Sequence, residues 1–332
     1  MHLQFPPPPE SVGLLLTYRC SASCSNCCFK CTPQRKEELS INTAFQVINE
    51  LGKIESVKSI TLSGGECFLR YDDMLKIVKR AHVQGLAIKC VTNAYWATSL
   101  PIAIEQLNPL VQAGMTILEV STDDFHIKHV PLKRVANALE AAHALGLETH
   151  LIVVYDNKTR RLGNILHELN LSFTPSITRE FPVIPVGNAE ASIEKDRLIS
   201  NEIHTSMPCR EILCRPSITP NGEVFACCAV AGFINPLKLG VIGDLTLSEM
   251  FEESRFNTLY IILSLFGPSK LASIASKLNI LTSSKTYVNE CHLCHDILND
   301  EKIMKQLNKS LEDSNLYFSV YRDYLELYLN SK

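Results

Sequence analysis

Three thiols crowd into the stretch Cys20-Ser21-Ala22-Ser23-Cys24-Ser25-Asn26-Cys27, with three residues between the first pair and two between the second. Thiolates are soft ligands, and three of them on one loop suit zinc or an iron–sulfur cluster. A closed structural zinc site calls for a fourth protein ligand, whereas a cluster held by three cysteines keeps one iron open to a substrate. Cys28 and Cys31 stand beside this loop, and buried or incidental thiols are the simplest account of both. A second group comprises Cys209, Cys214, Cys227, Cys228 and the compact pair in Cys291-His292-Leu293-Cys294. Taken alone, its spacings are open to a zinc ribbon.

Other stretches carry oxygen and nitrogen ligands. Ser63-Gly64-Gly65-Glu66 joins two glycines, which let backbone approach a ligand closely, to a carboxylate that can pair with an ammonium group. In isolation it reads as a strand-to-helix turn with a solvated Glu66. Thr92-Asn93-Ala94, Ser121-Thr122-Asp123-Asp124-Phe125-His126 and Pro185-Val186-Gly187-Asn188-Ala189 each follow an apolar run. Asp123 and Asp124 are adjacent, so on an extended strand at most one of them faces a shared site. His126 by itself is a loop histidine with a local hydrogen bond.

The elements that must position these residues alternate in texture. Leu14–Leu16, Ser59–Leu62, Ala87–Val91, Thr116–Ser121, Thr149–Val154 and a run near Phe181–Ile184 are short and rich in branched apolar residues, as strands are. Between them Ile41–Leu51, Met74–Gln84, Pro101–Ala113, Leu132–Leu145 and Leu162–Leu169 carry helical periodicity, three of them followed by Gly85, Gly114 and Gly146 at the expected left-handed cap. This alternation predicts parallel strands with crossover helices and the chemistry at the C-terminal strand ends. Six units are too few for a closed eight-unit barrel. Beyond residue 188 the pattern breaks: a polar connector over 189–208, a hairpin around Pro220-Asn221-Gly222, a mostly helical stretch from Phe251 to Leu281, then a cysteine loop and one or two amphipathic helices up to Tyr328. Residues 1–11, with Pro6 to Pro9, form an extended lead-in.

A chain of 332 residues is long enough for a barrel-sized core plus an appendage. Its net charge of −3 implies no general attraction to nucleic acid or an anionic membrane. The 13 cysteines cluster toward the two ends, with only Cys67 and Cys90 between Cys31 and Cys209, and the first residues do not look like a signal peptide. Clustered thiols of this kind point to metal binding in a reducing cytoplasm rather than to disulfides. The best apolar run, Leu259 to Phe266, is cut off by Gly267-Pro268, so no membrane span is expected.

The three-thiol loop followed one α/β unit later by Gly64-Gly65-Glu66 resembles the radical S-adenosylmethionine (SAM) superfamily, over about residues 12 to 300. The resemblance implies an α/β fold: a partial (β/α)6 barrel over 12–188, a connector over 189–208, a small cysteine-rich auxiliary-cluster domain over 209–300 and a helical tail over 301–332. It implies a 4Fe–4S cluster on Cys20, Cys24 and Cys27 that chelates SAM and cleaves it reductively, so that the resulting radical removes a hydrogen atom from substrate. Ser63, Gly64, Gly65 and Glu66 would meet the SAM amino group, with Asn93, Ser121 and Asp123 as further cofactor-binding residues. The second cysteine group resembles the auxiliary extension called SPASM, or its shorter form, twitch. That implies one auxiliary 4Fe–4S cluster on Cys227, Cys291, Cys294 and either Cys209 or Cys214. Two departures stand out. Asn26 occupies the place of an aromatic residue near the adenine, leaving adenine packing to another group such as Phe29, and Gly187-Asn188-Ala189 is either a plain Gly turn or a Gly-Arg-Ala turn with Asn188 in place of the arginine.

Enzymes of this kind often modify ribosomally made peptides, by epimerisation or cross-linking. A dehydrogenase or maturase acting on a small molecule or partner enzyme is the alternative, and an iron–sulfur or zinc redox sensor is the alternative of a different class. An electron donor such as flavodoxin or ferredoxin is implied. Cys227 and Cys228 are adjacent, so on an extended hairpin they point to opposite faces. Cys228 is then either a thiol buried in the hairpin core or, as the resemblance to peptide epimerases of this superfamily implies, a candidate hydrogen-atom donor facing the barrel.

Overall fold

Alternation along the strands decides the architecture. Val12 and Leu14, Ile60 and Leu62, Ile88 and Cys90, Leu118 and Val120, and Leu151 and Val153 are all buried on one face, where the helices cover them. The residues between them, such as Thr61, Lys89, Glu119 and His150, turn the other way and line an internal cavity. A period of two with both faces enclosed is what a parallel sheet under crossover helices requires.

The computed structural model describes residues 6–201, 207–278, 286–312 and 314–330. Residues 1–5 of the lead-in, 202–206 of the connector and 279–281 of the expected helical stretch lie outside them, as do 313 and 331–332 of the tail. Six strands, β1 (Ser11–Leu15), β2 (Ser59–Ser63), β3 (Ala87–Thr92), β4 (Ile117–Ser121), β5 (Glu148–Tyr155) and β6 (Ile177–Pro182), pair in parallel in chain order. The helices α1 (Ile41–Leu51), α2 (Tyr71–Val83), α3 (Leu100–Gln112), α4 (Leu132–Ala144) and α5 (Leu162–Leu169) connect them. Ser40 caps α1 by accepting from the Thr43 N–H at 3.0 Å, and Ser99 caps α3 through Ile102. Gly85, Gly114 and Gly146 take the expected positive φ after α2, α3 and α4.

The last strand corrects the sequence expectation. It runs from Ile177 to Pro182 rather than over Phe181–Ile184. The charged Arg179 and Glu180 hide a strand at the sheet edge, where neither face is fully buried, and Pro182 ends the pairing.

The C-terminal half begins with the short helix α6 (Ala189–Ser192). The expected hairpin forms as β7 (Ser217–Ile218) and β8 (Glu223–Phe225), with β9 (Lys238–Val241) beside it. β7 also pairs in parallel with β1, so one nine-stranded sheet runs in the order β6-β5-β4-β3-β2-β1-β7-β8-β9. The helix α7 (Leu247–Ser254) lays Leu247, Met250 and Phe251 into the main core, and its first turn is tied to α1 by Leu247 N–H donating to Glu50 Oε2 at 2.8 Å. A second core gathers α8 (Thr258–Phe266), α9 (Pro268–Lys277), α10 (Glu290–Leu298) and α11 (Glu301–Leu311), with α12 (Ser314–Asn330) beside them. Among the described residues no single helix is long and apolar enough to cross a membrane; the apolar α8 is buried and turns by 115° into α9 at Gly267. The expected cysteine loop at 291 is instead the first turn of α10, capped by Asn289 accepting from His292 N–H at 3.1 Å.

Candidate functional site

The chain leaves β1 as Leu16 to Arg19 and lies directly against the Gly64-Gly65 turn. Gly65 N–H donates to Thr17 O at 2.7 Å and Glu66 N–H to Arg19 O at 2.9 Å. A Cβ on Gly64 would stand 2.4 Å from Thr17 O, and one on Gly65 2.2 Å from Arg19 O. These glycines therefore let the chain's own backbone pass into the cysteine loop. The loop is held from several sides. Cys20 N–H donates to Thr32 O at 3.1 Å, Asn188 N–H to Cys27 O at 2.9 Å, and Asn188 Nδ2 to Cys24 O at 3.0 Å. Gly187, at φ +62°, packs so closely that a Cβ would lie 2.4–2.5 Å from the carbonyl oxygens of Cys28 and Cys27. The asparagine-for-arginine departure at Asn188 thus marks a clamp on the loop, a role legible only once β6 was placed beside it.

Glu66 is turned inward and is 1% exposed. Its Oε1 accepts from Thr92 Oγ1 at 2.8 Å and Phe68 N–H at 3.1 Å, and its Oε2 from Asn93 N–H at 2.9 Å. Burial outweighs these bonds and pushes its pKa up to about 7. Asn93, braced by Glu66, reaches the loop: Nδ2 donates to Ser21 Oγ at 3.1 Å and lies 3.6 Å from Cys20 Sγ.

The β4 end separates its two acids. Asp123 is buried, and its Oδ1 accepts from the N–H groups of Phe125 and His126, each at 2.9 Å, and lies 2.8 Å from His126 Nδ1. Asp124 faces outward to Arg160. Ser121 and His126 line the cavity, while the Asp123 carboxylate shapes the turn behind them. Burial alone would lower the pKa of His126, but the neighbouring Asp123 carboxylate raises it above the usual value. Asn26 Nδ2 reaches Asp123 Oδ2 at 3.5 Å, and its Oδ1 is buried without a partner among the described residues.

A cavity of about 840 Å³ opens inside the strands. Cys20, Cys24 and Cys27 form part of its wall beside Gly64, Gly65, Asn93 and Ser121. Phe29 is also in this wall, set edge-on to Phe233 with ring centroids 4.8 Å apart. Phe233 carried no signal in the sequence. The second cysteine group divides. Cys227 turns into the second core, against which Cys209 and Cys294 pack. Burial raises the pKa of Cys227, Cys291 and Cys294, and Cys209 is a nearby charge that adds to the rise in each. Cys214 lies elsewhere, its carbonyl accepting from Glu10 N–H at 2.8 Å and its thiol raised by burial and then by Glu10. Cys228 points the other way from Cys227 and lines the cavity, its thiol 3.5 Å from Glu211 Oε2. Among the described residues no three Cys, His, Asp or Glu side chains converge at the spacing of a single metal ion.

The residues suit the groups implied for them. Burial pushes Cys20 up to about 12 and also raises Cys24, and among the described residues no cation is a main influence on either thiol. Hydrogen bonds from Cys31 hold Cys27 below the usual thiol range. A cationic iron group at this wall would supply the missing positive charge. For an adenosyl ligand the wall offers the glycine backbone, Ser121 and the unpartnered Asn26 Oδ1.

Comparison with known proteins locates this arrangement. Residues 14–169 match the family model described as the Radical SAM superfamily. YydG of Bacillus subtilis (strain 168), named for peptide biosynthesis, is 24% identical over 309 residues, which are 89% of this chain and 94% of YydG. Streptococcus suis SuiB bound to S-adenosylmethionine shares the fold with a TM-score of 0.58 at 13% identity, over 80% of this chain and 74% of SuiB. Native anSMEcpe with bound AdoMet and the Cp18Cys peptide does so with a TM-score of 0.52 at 14% identity, over 96% of each chain. The matched residues run from β1 to the end of α5 and so contain the three-thiol loop and the ends of strands β1 to β5 beside it: residues 14–169 form a radical SAM domain, and the chain is a radical SAM enzyme.

Proposed function

We propose that this enzyme modifies a ribosomally synthesised peptide by inverting a Cα centre, with Cys228 as the hydrogen-atom donor. The observation that carries this reading is the position of Cys228. Its thiol shares a cavity with Cys20, Cys24 and Cys27 but stands on a different wall, past the end of β8. Inversion needs that geometry, because hydrogen must leave one face of the carbon and return to the other. The YydG relationship and the peptide bound to anSMEcpe support a peptide substrate.

SAM bound at a 4Fe–4S cluster on Cys20, Cys24 and Cys27 supplies the means to take a hydrogen atom from an unactivated carbon. The chain's own residues do the rest. The Asn188 and Asn93 contacts keep the loop in place. The cavity walls seat the peptide between the loop and Cys228. The Cys228 S–H bond breaks as the new C–H bond forms, and the sulfur is restored by one electron from a low-potential donor such as flavodoxin or ferredoxin and one solvent proton. Cys209, Cys227, Cys291 and Cys294 would hold one auxiliary 4Fe–4S cluster. The packing of Cys209 and Cys294 against the second core that holds Cys227, with Cys291 close to Cys209, favours Cys209 over Cys214 as the fourth ligand.

The test is a reaction in deuterated water with candidate peptides from short reading frames neighbouring the gene. Wild type is expected to place one solvent deuterium at the inverted carbon. Cys228→Ala should still form 5′-deoxyadenosine yet yield little inverted peptide. Normal inversion by Cys228→Ala removes the donor role, and a cross-linked or dehydrogenated wild-type product removes inversion.

A further inference from the structure

The cavity wall carries four cations, Lys58, Lys89, Arg179 and Arg215, against two carboxylates, Glu10 and Glu119. Three of the four are answered by the chain itself. Lys89 Nζ lies 2.9 Å from Glu119 Oε2, Arg215 Nη1 lies 2.9 Å from Glu211 Oε1, and Lys58 Nζ donates to Glu55 O at 2.7 Å. The guanidinium of Arg179 has no hydrogen bond or ion pair among the described residues. The adjacent acid, Glu180, lies on the other face of the strand and is taken by Arg161 and by Leu162 N–H.

The position of Arg179 matters as much as its charge. Cross-strand register sets Arg179 opposite Ile152, and Ile152 opposite Ser121, the last residue of β4. Arg179 is therefore level with the C-terminal strand ends that face the cysteine loop. Among the described residues β6 is the terminal strand of the sheet and pairs on one side only, so an extended chain can approach along it. On this face of β6, Arg179 sits between Ile177 and the exposed Phe181, an apolar–cation–apolar stripe at two-residue spacing. A peptide closing over this wall takes the guanidinium out of water, which is favourable when it brings a carboxylate to the planar fork of donors and costly when it does not.

We propose that Arg179 is a carboxylate-binding subsite of the substrate cavity, so that the preferred peptide carries an Asp or Glu side chain, or its own terminal carboxylate, beside the modified residue. This rests on the peptide reading above and names the substrate chemistry within it.

The test measures binding rather than turnover. Three eight-residue Ala/Val peptides with an uncharged fluorophore serve as probes: one with a central Glu and an amidated end, one with a central Gln and an amidated end, and one with a central Gln and a free carboxylate end. Fluorescence anisotropy is read on the reconstituted enzyme with SAM bound. At least one acidic peptide is expected to bind wild type about tenfold tighter than the neutral one, and whichever does so identifies the source of the carboxylate. Arg179→Gln should erase the preference and Arg179→Lys retain part of it, while SAM affinity stays unchanged in both. Equal binding of all three peptides to wild type overturns the subsite alone. A fall in SAM affinity in Arg179→Gln that matches the loss of peptide preference also overturns it, because the arginine then belongs to the SAM pocket. Failure of every peptide to bind overturns the peptide reading and the subsite together. The deuterium result with Cys228→Ala bears only on inversion.

Discussion

The two cysteine groups are built by opposite means. Cys20, Cys24 and Cys27 lie within eight residues, and the loop that carries them is hydrogen-bonded along its backbone by Thr32 and Asn188 and braced by Asn93. Cys209, Cys227, Cys291 and Cys294 come from the start of the C-terminal region, the end of β8 and the first turn of α10. Packing of the second core brings Cys209, Cys227 and Cys294 together, and Cys291 lies near Cys209. A pre-ordered loop can receive its metal without much change in fold. A group spanning residues 209 to 294 couples metal binding to the docking of a helix, so its loss should loosen that region.

The largest effect separates the groups outright. Cys24→Ala is expected to abolish SAM cleavage, whereas Cys294→Ala should lose about one cluster's worth of iron of two and keep measurable 5′-deoxyadenosine formation. Iron analysis and product chromatography on both variants read this, and full SAM cleavage by Cys24→Ala would break the assignment. Next comes the clamp. Gly187→Ala drives a Cβ into the carbonyls of Cys27 and Cys28 at a positive φ, costing about 1–3 kcal/mol. The expected result is iron lost from the first group and kept in the second, with Asn188→Ala a milder case at about 1 kcal/mol. Equal loss from both groups would show that the clamp is not specific to the loop.

The last effects concern Glu66, which braces the first group through Asn93. Glu66→Gln should weaken SAM binding about tenfold, as the Asn93 N–H loses its acceptor. Burial raises the pKa of Glu66 from 4.5 to about 7, so the folded chain holds a proton there that the unfolded chain has released. The stability linked to that proton is complete below pH 4.5 and is lost as pH rises through about 7, by up to roughly 3 kcal/mol. Denaturant unfolding at pH 5 and pH 8 should show a steeper loss in wild type than in Glu66→Gln. Equal slopes would mean that Glu66 is already ionised in the folded chain at pH 5.

The order of strands and helices, the three-thiol loop and the Gly64-Gly65-Glu66 turn were all legible in the sequence. Each depends on neighbours within a few residues: periodicity, capping, ligand spacing. What needed the tertiary structure depends on residues far apart. Arg179 and Glu180 masked β6, because an edge strand lacks the apolar burial that makes a strand visible. Joining β7 to β1 carried the sheet past the last crossover, which no local pattern records. The glycines at 64 and 65 are needed by Thr17 and Arg19, and the carboxylates of Glu66 and Asp123 are spent on bracing turns. Choosing Cys209 over Cys214 required the second core, and freeing Arg179 required knowing where the three other cations in the cavity find their partners. Spacing along the chain determines which ligands a loop can offer, whereas burial and register determine which side chains meet across the fold and which are left to meet something else.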